Sequence, residues 1–232
     1  VTAARTTVAS RSTAGALRLV ERSTPLPTSV EISAYVEQMT AFCPYLKPSL
    51  HRGLTAWSVY RATGDAEAVE AELFFAGVQA AEWLRPLLNR PHGGLRCENI
   101  VLLGDVPGAR HRGLLAWPHW ALKVIYAPVG VMVGKFHADE VELARSGERI
   151  PAAPVSFLPV RAAVRRRDPR FLTATPDLGA SLAAASDDGR DLFAHIPAQW
   201  KEIRTWSRRF LPPAKPSTSS PTGSANPSPP GS

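Results

Sequence analysis

The residue best suited to chemistry is His137, the last of the run Gly130-Val-Met-Val-Gly-Lys-Phe-His137. An imidazole titrates near neutrality and can act as general base, general acid or metal ligand. The run before it reads as a short buried strand, Val131 to Phe136, and a glycine inside a strand marks a bulge or a close approach of backbone or ligand. Met132, Gly134 and Phe136 would suit a flat apolar cofactor, with His137 as an axial haem ligand. The same residues would equally make ordinary core, and His137 would then be half buried and hydrogen-bonded to backbone.

Three other groups bear on the same chemistry. Arg161 alternates with Val160 on a predicted strand; pointing inward, it would hold a carboxylate, a phosphate or a haem propionate through its two-pronged guanidinium. Cys43 precedes Pro44 at a helix end, where the negative end of the helix dipole disfavours a thiolate, so a structural thiol is the simpler reading and a haem-thiolate the other. His137 and Asp139 form an H-x-D with His195 downstream, the order of a two-His, one-carboxylate iron site. Those iron enzymes are all-β and this chain has long helices before the motif, so chance explains the match better. The run Arg165, Arg166, Arg167 and Arg170 reads as a solvated face, and Trp57, Trp83, Trp117 and Trp120 as core or pocket wall. Phosphate loops, dinucleotide fingerprints, G-x-S-x-G elbows and H-E-x-x-H motifs are absent from the sequence.

The elements that must carry these residues follow from periodicity. Helices are expected at 30–42, 65–88 and 112–127, the second capped by Asp65 and lined by Val69, Leu73, Ala76, Ala80, Leu84 and Leu88, the third interrupted by Pro118. Strands are expected at 54–60, 99–104, 131–136 and 155–161, the last at a sheet edge because of Pro159. Residues 138–154 read as a surface excursion, and 165–210 as a final helical region. The alternation predicts an α+β domain over 29–210, a small sheet with helices mainly on one face. Residues 1–28 are expected to be a mobile arm, with one or two helical turns possible over 14–20, and 211–232 a disordered Pro/Ser-rich tail.

The bulk properties narrow the class. With 232 residues and 44% hydrophobic content the chain can build one good core. The net charge of +7 comes mainly from arginine in an Ala- and Pro-rich sequence, which points to a GC-rich genome more than to a nucleic-acid partner; phosphorylated or otherwise anionic small ligands remain compatible. Two distant cysteines argue against a disulfide scaffold and a structural zinc site, and fit a reduced cytoplasm. No apolar run approaches a membrane span and no secretory signal opens the chain. The first residue, Val1, fits either a GTG start translated literally or a trimmed chain.

Three stretches together carry a family likeness: Phe42-Cys-Pro-Tyr45, the block from Gly130 to His137, and Pro154-Val-Ser-Phe-Leu-Pro-Val-Arg161 leading to Asp168-Pro-Arg-Phe-Leu172. Over about 30–175 the chain resembles an actinobacterial domain-of-unknown-function family, number 6875. Ala138 stands where that pattern has a proline, and Ala162 where it has a bulkier or polar residue. The resemblance implies a tailoring enzyme of specialised metabolism or a non-catalytic binding protein of the same pathway. The Cys-Pro-aromatic turn alone is similar to bacterial haem proteins that N-hydroxylate guanidino groups, which implies haem chemistry. A shared site would bring His137, Met132 and Arg161 to one cavity, and a bulge at Gly134 would turn His137 towards Phe136 and away from Lys135.

Overall fold

The computed structural model describes residues 15–138, 140, 142–143 and 147–212. Alternation of apolar and polar residues builds a five-stranded sheet from β1 (Leu17–Ser23), β2 (Thr55–Ala62), β3 (Cys97–Leu103), β4 (Val131–Val133) and β7 (Ser156–Ala162), in the order β1-β2-β3-β7-β4. Only β2 and β3 run parallel, which requires a crossover, and α3 (Ala66–Leu84) supplies it. The two-residue strands β5 (Glu142–Leu143) and β6 (Arg149–Ile150) pair inside the expected surface excursion.

The pleat sends alternate side chains to two layers. Ile100, Leu102, Leu158, Val160, Val131 and Val133 meet α3 and α4 (His111–Tyr126), and Trp200 and Ile203 of α6 (Trp200–Ser207) join the same core. On the other face Trp57, Val59, Val101 and Phe157 pack against Ile32 and, from α1 (Ser33–Met39), Tyr35 and Val36. The short α2 (Leu46–His51) lies on β2, and α5 (Pro176–Ala183) packs with the turn at Asp168–Leu172. This is the single α+β domain expected, with its long helices on one side.

Three local expectations change. Leu17–Ser23, placed in an arm by the sequence reading, is an edge strand paired antiparallel to β2. Its mostly exposed Leu-Arg-Leu-Val-Glu-Arg-Ser pattern carries little hydrophobic signal, and the Glu72 carboxylate accepts the Ala16 and Leu17 N–H groups that start it. The strand at 155–161 is interior, between β3 and β4, while the run after Gly130 forms the edge. Pro159 is tolerated inside because its missing N–H faces that short edge strand, where Gly134 N–H still reaches the Pro159 carbonyl at 2.9 Å. Helix α4 runs through Pro118 without ending. The tail assigned to 211–232 falls, beyond Pro212, outside the described residues, as does the arm before Gly15.

The connection 185–199 contains no helix or strand. It is latched by Arg85, whose guanidinium donates to Asp187 at 2.8 and 3.2 Å, to Glu82 at 3.0 Å and to the Arg190 carbonyl at 3.0 Å. Tyr126 donates to the same Glu82 at 2.9 Å.

Helices α3 and α4 cross at Gly77, where an added Cβ would sit 2.2 Å from Leu122 Cδ1. Alanine favours a helix over glycine by about 1 kcal/mol, yet overpacking a full core costs about 1–3 kcal/mol. Gly77→Ala is therefore expected to lower stability in urea denaturation. In a double-mutant cycle with Leu122→Ala the two losses should be strongly non-additive, because the second substitution removes the clash.

Candidate functional site

His137 owes its position to an unbroken register. Val131, Met132 and Val133 face Ala162, Arg161 and Val160, and the spacing continues to Phe136 opposite Phe157. No bulge intervenes at Gly134. That glycine answers a close approach instead: a Cβ there would lie 3.0 Å from Pro159 Cγ. By the period of two, Phe136 joins the α1 face, where it stacks on Phe157 at 4.8 Å, and His137 joins Val131, Val133 and Lys135 on the α4 face. The expected turn away from Lys135 does not occur, because regular pleating holds both on one side.

The imidazole is 6% exposed, and among the described residues neither ring nitrogen has a hydrogen-bond partner. Glu140 Oε2 lies 3.8 Å from Nε2, beyond hydrogen-bond range but close enough to favour a proton there. Arg112, on the first turn of α4, holds Glu140 at 2.9 Å. Phe136, Glu140, Ile150, Pro151 and Ala153 close a cavity of about 10 Å³ around the ring, room for about one water-sized group. Burial, and then the charge of Lys135, push the His137 pKa below its ordinary value, against the pull of Glu140. At neutral pH the ring is uncharged with a free lone pair.

Met132 and Arg161 are not in that cavity. They are cross-strand neighbours on the opposite face, with Cys97 next along from Arg161. Arg161 has a carboxylate of its own: Nη1 and Nη2 donate to Asp168 at 2.7 and 2.9 Å, and Asp168 also accepts Val164 N–H at 2.6 Å. The buried pair anchors the Asp168–Leu172 turn to β7. Cys97 is a free thiol whose pKa burial pushes up to about 12, an inert state. Cys43, also free, follows α1.

Haem does not fit this arrangement. The space at His137 is one water wide, whereas cofactor-sized ligands occupy hundreds of Å³. Met132 and Arg161, named with His137 for such a ligand, lie across the sheet from it, and Gly134 is filled by Pro159. Among the described residues a metal at His137 finds Glu140 alone nearby, and no three His, Cys, Asp or Glu side chains gather. Asp139 of the H-x-D lies outside the described residues. His195 is exposed on the 185–199 connection, and Arg204 pairs with Glu70 at 3.1 Å.

Three functional candidates escaped the sequence reading. His119 sits on the buried face of α4, one turn past Leu115, a spacing that marks it as inward. Burial, with Lys123 and Lys135 adding, holds its pKa well below the usual range, while the Val133 carbonyl works the other way. Lys123, one turn further, is pushed down to about 8 by burial and then by Lys135 and Arg161. The charge of Lys135 lowers the pKa of His119, Lys123 and His137 alike. Only the fold brings these groups together.

Among the described residues no helix is long and apolar enough to cross a membrane. The model of the family described as "Domain of unknown function (DUF6875)" matches residues 36–194, and the chain belongs to that family. No curated protein and no solved structure matches it.

The two buried histidines set a pH dependence. Both have folded pKa values below the ordinary 6.5, so as pH falls through that value the unfolded chain takes up protons that the folded chain resists. Their contribution to stability is present above about pH 6.5 and lost as pH falls towards the folded values. The urea midpoint is expected to drop between pH 7.5 and 5.5 by more in the natural chain than in His119→Gln. Equal drops in both would show that His119 protonates freely when folded.

Proposed function

We propose that this DUF6875 protein is an enzyme acting on a small molecule, with His137 as general base. The observation that carries the reading is a buried imidazole whose ring nitrogens have no partner among the described residues. Buried polar groups in folded proteins are nearly always hydrogen-bonded, and leaving one unpaired costs about 1–3 kcal/mol. A fold retains such a cost where the group meets a substrate.

The surroundings match the role. The ring is neutral at working pH and can accept a proton from the one polar atom that the cavity admits, either a water or the tip of a substrate. The imidazolium so formed lies 3.8 Å from the Glu140 carboxylate, which stabilises it, and Arg112 orients Glu140. Burial, and then the charge of Lys135, keep the resting ring unprotonated. With the implication of the family resemblance, the proposed setting is a tailoring step of bacterial specialised metabolism in the cytoplasm. A non-catalytic binding protein would use the same pocket without turnover.

The test replaces His137 by Phe, which fills the same space with no polar atom. The Phe variant is expected to be more stable in urea denaturation by about 1–2 kcal/mol, and ¹⁵N NMR should show a neutral His137 ring at pH 7 whose pKa falls further in Glu140→Gln. A loss of stability on His137→Phe, or a ring N–H held by a backbone carbonyl, would make the histidine structural. Incubation with a bacterial small-molecule extract separates the two functions: consumption of a component by the natural chain but not by the Phe variant marks an enzyme, and retention without change a binder.

A further inference from the structure

We propose that the turn from Arg165 to Phe171 is a binding surface for single-stranded nucleic acid, with arginines on its phosphates and a base stacked on Phe171. In sequence the run Arg165-Arg-Arg-Asp-Pro-Arg-Phe171 reads as a solvated face. The fold gives it a fixed frame. Asp168, the one acidic residue of the run, turns inward and is 2% exposed. Its carboxylate accepts from Arg161 at 2.7 and 2.9 Å and from Val164 N–H at 2.6 Å. Arg167 N–H donates to the Val164 carbonyl at 2.8 Å, and Arg170 N–H to the Arg167 carbonyl at 3.1 Å. Leu172 closes the turn, buried with Met132 and Leu182. Helix α5 packs so near that a Cβ at Gly179 would sit 3.4 Å from the Pro169 carbonyl oxygen.

What this frame presents is cationic and aromatic together. Arg165, Arg166, Arg167 and Arg170 are all exposed, and Phe171 beside them is 64% exposed. Among the described residues Arg165, Arg166 and Arg167 have no ion-pair partner. Asp168 lies among them in sequence but is committed to Arg161, so it leaves their charge uncancelled. The net charge of +7 does not by itself ask for a polyanion. Its concentration on one rigid turn, next to an exposed ring, does. A surface already held in shape also loses little freedom when a ligand settles on it.

The kind of partner follows from the two chemistries side by side. A guanidinium binds phosphate oxygens two at a time, and its planar face stacks on bases as a phenyl ring does. Single strands offer phosphates and unstacked bases along one chain, which uses both the arginines and Phe171. A duplex hides its bases from the ring. An acidic protein would pair with the arginines and would need an apolar pocket for Phe171 besides. A bilayer surface calls for an amphipathic helix with several apolar side chains, and this turn presents one. The anchoring Arg161 lies on the face of the sheet opposite His137, so the surface is separate from the proposed base and does not rest on it.

The experiment follows a fluorescently labelled, short single-stranded RNA of mixed sequence by anisotropy as the full chain is added, over a series of salt concentrations. Its duplex form and polyglutamate serve as competitors. Binding is expected to saturate, and log affinity to fall with log salt at a slope of about −2 to −3, each phosphate contact contributing about 0.7. Arg166→Gln and Arg167→Gln should each make the slope shallower by about 0.7. Phe171→Ala should weaken binding by about tenfold and leave the slope unchanged, because stacking releases no counterions. These side chains are exposed, so the urea midpoints of all three variants should match the natural chain. Arg18→Gln, at an exposed arginine on β1, should bind normally. No saturable binding at low salt, or Phe171→Ala indistinguishable from the natural chain, overturns the surface. Competition by polyglutamate as strong as by the RNA itself also overturns it and marks the turn as a contact for an acidic protein.

Discussion

The arrangement depends on the way β7 pairs on both sides at once. Its contacts with the run from Val131 to Phe136 keep one spacing throughout, so the face of each side chain is decided by position alone. Pro159 sits in the middle of that pairing with no N–H to give, and Gly134 yields the room for its ring. A side chain at 134 would push the edge strand off Pro159, and with it part of the backbone that holds His137 in place. The same parity separates His137 from Met132 and Arg161. One surface of the sheet received the neutral base with Lys135, the other the arginine–aspartate anchor.

Much of the fold was legible because its strongest signals are long-period ones. Helix α3 follows from Asp65, which accepts Ala68 N–H at 2.9 Å, and from a stripe of apolar residues. The strands at 55–62, 97–103 and 156–162 stand close to where alternation put them. What failed was neighbour order. Proline inside a strand argues for an edge when only the strand is considered, and here the short partner next to it absorbs the lost hydrogen bond. Strand β1 was missed because an exposed edge strand needs little apolar pattern once its ends are held by a distant carboxylate such as Glu72.

At the site, the importance of His137 was legible from its place after a glycine-punctuated strand, and its environment was not. Which face it takes turns on Gly134, and a glycine looks the same in sequence whether it bulges or makes room. Arg161 was legible as an inward arginine, but its partner is seven residues on, within a turn whose geometry no periodicity reveals. The convergence of His119, Lys123 and Lys135 needed the packing of α4 on the edge strand. Sequence spacing of 12 between Lys123 and Lys135 carries no hint of it.

The latch at Arg85 bears on how the molecule breathes. Residues 185–199 have no ladder or helix of their own, and α5 and α6 at their two ends are held by separate apolar contacts, Leu182 beside Met132 and Leu172, and Trp200 and Ile203 in the main core. Release of that guanidinium would remove the side-chain latch on its middle and leave Ser186 N–H on the Pro128 carbonyl and Leu192, Phe193 and Ile196 against the core as remaining holds, while both flanking helices stay docked. Such a segment forms its own opening unit, whose amide protons exchange with solvent together and far faster than those of the sheet. That unit reaches Tyr126 at the end of α4 through Glu82 and the ring of Phe193. Openings of the connection are thus felt first at the C-terminal end of the helix that carries Arg112, His119 and Lys123.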